Sequence, residues 1–205
     1  MREFVEENFA RVQDQIASLH AEHRKDLAKG EDLAPFDEIS IASIVEYLYF
    51  LIDNDRKSTA LKSLQGKIWQ KGYESGELLG EVFEDVPTAF ERWKTQGKTI
   101  AIFSSGSILA QKLIFKFSEA GDLTNFISAY FDTTTGSKKE ASSYRKIADA
   151  LRFPPVEILF VSDVLAELDA AQKAGMQTRL IVRPNNPPLD EASAHLIINS
   201  FDELV

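Results

Sequence analysis

Between residues 4 and 19 the apolar positions fall at Phe4, Val5, Phe9, Val12, Ile16 and Leu19. At about 100° per residue this spacing keeps them on one face and predicts an amphipathic helix. A polar stretch, 23–38, separates it from an apolar segment, 39–52, whose length favours a helix over a strand despite its aromatic content. A third helix is expected from Ser58 through Trp69, ending near Gly72. Nothing before Asp85 alternates strand and helix, so residues 1–84 are expected to form a small all-helical domain.

From Asp85 the pattern changes. Asp85 is a candidate N-cap, Pro87 lies in the first helical turn, and Gly97 follows the helix. Short apolar, β-branched runs at 99–103, 127–131, 158–161, 178–182 and 196–198 read as strands. Helices are expected at 108–117, at 139–151 and up to Gly175. Strand and helix alternating over residues 85–205 predict an α/β domain with a mainly parallel sheet covered by helices.

Composition then narrows the chemistry. Lys+Arg 23 against Asp+Glu 32 gives a net charge of −9, which disfavours nucleic acid as a partner. With no cysteine, disulfides, thiolate metal sites and cysteine nucleophiles are excluded, leaving oxygen-ligand metals. No apolar stretch approaches the ~20 residues of a membrane helix, and the N-terminus lacks the basic-then-apolar pattern of a secretory signal. A cytoplasmic protein is expected, with no membrane partner.

In open α/β sheets ligands bind beyond the carboxyl ends of the strands, and polar clusters follow three of the strands. Ser104-Ser105-Gly106-Ser107 can hold phosphate oxygens through hydroxyls and backbone N–H groups; it also reads as a plain N-cap. Ser137-Lys138-Lys139-Glu140 offers a lysine able to neutralise a phosphate, or simply a surface lysine. Asp163 ends a strand and Glu167 returns one turn later. This pair suits magnesium, whereas Asp163 alone equally suits a helix cap.

Serine, then lysine, then Asp-x-x-x-acid is the order of the later motifs of haloacid-dehalogenase-type phosphatases. The sequence resembles the acireductone synthase family, the enolase-phosphatases of methionine salvage. The resemblance is carried by Leu64-Gln65-Gly66-Lys67-Ile68-Trp69, Gly72-Tyr73-Glu74-Ser75-Gly76-Glu77-Leu78, Phe103 to Ser107, Ala110-Gln111-Lys112, Tyr130-Phe131-Asp132-Thr133 and Arg183-Pro184. It implies a three-layer Rossmannoid core with a helical cap that closes over substrate. It implies a monomer using Mg2+ to enolise 2,3-diketo-5-methylthiopentyl 1-phosphate and then hydrolyse its phosphate ester. By position, Ser104 and Ser105 would bind the phosphate, Lys138 would bind it and act in catalysis, Asp163 would ligate the metal, and Glu167 would orient the metal or its waters.

The family opens on a strand followed by Asp-x-Glu-Gly-Thr, whose first aspartate is the nucleophile, and no such segment occurs in these 205 residues. Asp53-Asn54-Asp55 has the acid spacing but follows a helix and lacks the Gly-Thr turn. The expectation is a late start or truncation, a sheet missing its central first strand, and impaired or absent turnover. A non-catalytic phosphate-ligand-binding or regulatory relative is the alternative, as is a phosphatase of the same superfamily with another small phosphorylated metabolite. His20, His23 and His195 are too scattered for a zinc site and read as surface residues. Trp69 and Trp93 read as packing residues, and Tyr47, Tyr49 and Phe50 as helical-domain core.

Overall fold

The computed structural model describes residues 1–184, 186 and 194–204. The chain divides into two compact units, Met1–Leu78 and Leu79–Val205.

The first unit is all-helical: α1 (Arg2–Asn8), a 3-10 turn (Phe9–Arg11), α2 (Gln13–Ala28), α3 (Ile41–Asp53) and α4 (Thr59–Ser75). Ser40 and Ser58 cap α3 and α4, accepting from the backbone N–H groups of Ser43 and Leu61. Gly76, at φ +78, ends α4 in the left-handed conformation a glycine adopts without strain. Val5, Val12, Ile16 and Leu19 pack on Ile44, Leu48, Leu51, Leu61 and Leu64 in one core.

The single helix expected over 4–19 is instead two, broken by the 3-10 turn. At the break, the Asn8 side chain donates to the Phe4 carbonyl, 2.9 Å, and Gln13 donates to that of Phe9, 2.8 Å. These bonds offer the backbone an alternative to helix continuation while the apolar face still points inward. The polar stretch expected from residue 23 is helical through Ala28, because His23 and Asp26 point into the unit and are satisfied there. Asp26 is fully buried, accepting from Tyr47 Oη at 2.8 Å and Arg56 Nη2 at 2.7 Å. Burial pushes its carboxyl up, but the bonds from Arg56 and Tyr47 outweigh this and hold it below the usual range. His23 is 2% exposed, bonds the Ala34 carbonyl and meets the Tyr47 ring edge-on. The surface reading of the histidines is therefore wrong for His23, and for His195, which is 5% exposed.

The second unit alternates strand and helix. In chain order it comprises α5 (Asp85–Thr95), β1 (Ile100–Phe103), α6 (Ile108–Lys116), β2 (Ile127–Phe131), α7 (Ala141–Leu151), β3 (Leu159–Ser162), α8 (Leu165–Lys173), β4 (Gln177–Ile181) and β5 (Leu196–Ile198). The pairings between these strands are all parallel, but they form two sheets, β1-β2 and β3-β4-β5. The two are tied by α7, whose buried Tyr144 meets Phe103 of β1 at 5.7 Å and Phe160 of β3 at 4.9 Å. Among the described residues β1 pairs only with β2 and β3 only with β4, so no strand joins the halves. Central parallel strands are normally covered on both faces, yet Leu159 of β3 is 38% exposed.

Asp85 does not cap α5. Glu84 occupies the N-cap, without a side-chain bond, while Asp85 begins the helix and sends its carboxylate to Arg183, Ser200 and Phe201.

Candidate active site

The serine loop leaves β1 directly. Ser104 N–H donates to Phe131 O at 3.0 Å, extending the β1-β2 ladder by one bond, and Ser104 Oγ accepts from Gly106 N at 3.1 Å. The two readings of the cluster separate by residue. Ser107 is the N-cap of α6, accepting from Ala110 N, whereas Ser105 is exposed beyond the strand end. Gln111, 4% exposed, pins the loop by donating to Gly106 O and Phe131 O, each at 2.9 Å.

Lys138 is presented by a turn that α7 holds from behind: Tyr144 Oη donates to Lys138 O and Ser143 Oγ to Ser137 O, both 2.7 Å. Gly136, at φ +144, has no room for a side chain, since a Cβ there would meet Ser143 Oγ at 2.3 Å. Lys138 Nζ lies 2.7 Å from Glu167 Oε2 and 5.9 Å from the centre of the Phe103 ring, so it spans the carboxyl ends of β1 and β3. Ser162 Oγ donates to the same Glu167 oxygen at 2.8 Å. Glu167, 8% exposed, is thus engaged by Lys138 and Ser162, and through the first of these contacts it orients the lysine.

Asp163 follows β3 and is exposed. It does not cap α8, because Val164 is the N-cap residue and Ser162 Oγ accepts the Val164 N–H. The Asp163 carboxylate instead accepts from Asn186 Nδ2 at 2.7 Å. Asn186 escaped the sequence reading, although it follows β4 as the other candidates follow their strands; extending the strand-end rule to β4 finds it. Asp53 ends α3 in the helical unit, as the rejection of 53–55 anticipated.

Among the described residues no cluster of three or more His, Cys, Asp or Glu side chains is disposed to hold a metal ion. Magnesium needs less: it keeps several waters and takes one or two carboxylates plus substrate phosphate oxygens. The exposed Asp163 carboxylate is one oxygen donor of the kind a hard ion takes. No described helix is long and apolar enough to cross a membrane.

The arrangement is similar to known proteins at several levels. A family model for haloacid dehalogenase-like hydrolase matches residues 3–175. Enolase-phosphatase E1 of Synechococcus elongatus is 58% identical over 160 residues, 78% of this chain and 67% of that protein. Enolase-phosphatase E1 of Drosophila persimilis is 49% identical over 172 residues, 83% of this chain and 68% of that one. Among solved structures, the UTR4 protein of Saccharomyces cerevisiae superposes with a TM-score of 0.74 and 30% identity, covering 97% of this chain and 92% of its own. A phosphatase from Thermococcus onnurineus shares the fold at a TM-score of 0.57 and 18% identity, covering 100% and 90%.

Proposed function

The chain belongs to the haloacid dehalogenase-like hydrolases, and we propose that it is a magnesium-dependent enolase-phosphatase converting 2,3-diketo-5-methylthiopentyl 1-phosphate to the acireductone. The observation that carries this reading is the convergence on Lys138, whose ammonium group reaches from the β1 end to Glu167 behind the β3 end. Ser104 and Ser105 donate hydroxyl hydrogens to the phosphate oxygens. Lys138, oriented by Glu167, neutralises the negative charge that grows on the phosphoryl group in the transition state; groups aimed in this way contribute most of the rate enhancement in such sites. Asp163 holds magnesium, which supplies further charge neutralisation when bound. The protein works as a cytoplasmic monomer on a small phosphorylated metabolite.

A second reading is favoured by one observation. The phosphoaspartate route of the family uses an aspartate from an Asp-x-Glu-Gly-Thr segment; the 205 residues contain none, and the sheet is divided between β1 and β3. On this second reading the described residues bind a phosphorylated ligand without turning it over. Phosphate release from the diketo phosphate and from simple sugar phosphates, with and without Mg2+, separates these readings. Preferential, metal-dependent turnover of the diketo phosphate that Asp163→Asn abolishes supports the enzyme. Saturable binding without release supports the second reading, and faster turnover of sugar phosphates sinks the substrate assignment.

A further inference from the structure

Asp163, Asn186, Arg183 and Asp85 form a continuous relay that the chemistry above leaves unused. Its anchor is an ion pair screened from water: Arg183 Nη2 lies 3.0 and 2.8 Å from the two oxygens of Asp85, with the side chains only 11% and 9% exposed. Asp85 also accepts from Ser200 Oγ at 3.0 Å and from Phe201 N at 2.6 Å. The Arg183 guanidinium lies 4.3 Å from the centre of the Phe83 ring and 5.2 Å from that of Phe201, and its Nη1 donates to Asn199 O. So many fixed partners leave the arginine, and the backbone that carries it, one position.

The next link fixes a direction. Arg183 N–H donates to Asn186 Oδ1 at 2.5 Å. A backbone N–H only donates, so the amide atom facing it is the oxygen, and the amide nitrogen is turned toward Asp163, 2.7 Å away. The carboxylate is therefore gripped at one oxygen by a donor whose own orientation is settled elsewhere. We propose that Asn186 is a positioning residue, holding the Asp163 carboxylate in the direction from which it meets a hard divalent cation, with the Arg183–Asp85 pair holding Asn186. Hydrogen bonds to ligating carboxylates tune metal sites in this way, and their loss typically weakens metal affinity 10–100-fold. The inference rests on the reading of Asp163 as the metal position.

The full chain is titrated with Mn2+, followed by electron paramagnetic resonance, with Mg2+ as competitor. Asn186→Ala is expected to weaken Mn2+ binding by about tenfold or more and to alter the line shape of the bound ion, at an unchanged thermal midpoint. Asp163→Asn is expected to abolish binding. If Asp163→Asn abolishes binding while Asn186→Ala matches the parent in affinity and line shape, Asn186 has no positioning role and the metal assignment stands. If Asp163→Asn binds as the parent does, or the parent does not bind, the metal assignment falls and takes the proposal with it. A loss of affinity in Asn186→Ala that comes only with a lowered thermal midpoint overturns the proposal in favour of a structural role.

Discussion

The Asp26 network of the helical unit and the Lys138 network of the α/β unit differ in whether they are closed. In the helical unit Asp26 is fully buried and its bonds go to Tyr47 and Arg56 of the same unit. In the α/β unit, Ser105 and Asp163 stand exposed past the strand ends, while Glu167 and Ser162 lie behind Lys138. A closed network of this kind stabilises a fold. An open one, with its donors and carboxylate turned outward and its supports turned inward, is arranged to meet something else. Burial and bonding thus separate the two kinds of charge where residue type alone does not.

The sharpest test of that distinction removes the central charged group of each network. Lys138→Ala is expected to reduce phosphate-dependent activity about 10²–10³-fold, the size of effect seen when one transition-state donor is deleted, with some loss of stability because Glu167 keeps only Ser162 of the two partners. If the chain only binds its ligand, the same variant loses affinity for it. An unaltered response to the phosphorylated substrate would break the comparison at its open end.

At the closed end, Asp26→Ala leaves Arg56 and the Tyr47 hydroxyl without their shared acceptor and should cost about 3 kcal/mol, at the lower edge of values for broken buried pairs because Arg56 is partly exposed. The chain offers a clean measurement, since its two tryptophans fall in different units: Trp69 in α4 and Trp93 in α5. In a Trp93→Phe background the urea transition reports on the helical unit alone. Equal destabilisation read by Trp93 in a Trp69→Phe background would show that Asp26 does not act locally.

The sign of the pH dependence follows from the same carboxylate. Asp26 is held below its unfolded value, so its ionised form stabilises the native state. That contribution is complete above the unfolded pKa of about 3.9 and is lost as pH falls through the lower folded value. The Trp69-reported transition should therefore weaken below about pH 4, and Asp26→Asn should flatten that limb. An acid limb of undiminished slope in the variant would assign the titration to other carboxylates.

Much of this architecture was readable from periodicity and strand-end chemistry. Strands β1 to β5 fall within about a residue of the apolar runs, the usual margin for element ends. Ser104, Lys138 and Asp163 were singled out because parallel sheets present residues at their carboxyl ends, and they follow β1, β2 and β3 in the structure. What failed has one physical cause: a polar residue whose partner is distant in sequence. His23, Asp85 and His195 read as surface or capping groups, and Asp26 lay in a stretch read only as polar. Their acceptors and donors at Ala34, Tyr47, Arg183 and Thr178 come together only on folding. Within the site, the contact of Glu167 with Lys138 is likewise one that the four-residue spacing from Asp163 did not announce.

The smallest expected effects draw the line between open and closed inside a single loop. Ser107 accepts from Ala110 N as the cap of α6, so Ser107→Ala should cost about 1 kcal/mol of stability in the Trp93-reported transition, with little change in phosphate affinity. Ser105, two residues earlier and exposed, should behave in the opposite way. Ser105→Ala leaves stability within about 0.5 kcal/mol, as exposed substitutions do. It removes one hydroxyl hydrogen bond to a charged oxygen, worth about 1.5 kcal/mol or roughly tenfold in affinity for the phosphorylated ligand. Isothermal titration beside urea unfolding reads both quantities on both variants. If both variants lost stability alone, the loop would be a helix start and nothing more, and the phosphate would have to be held by Lys138 and its neighbours.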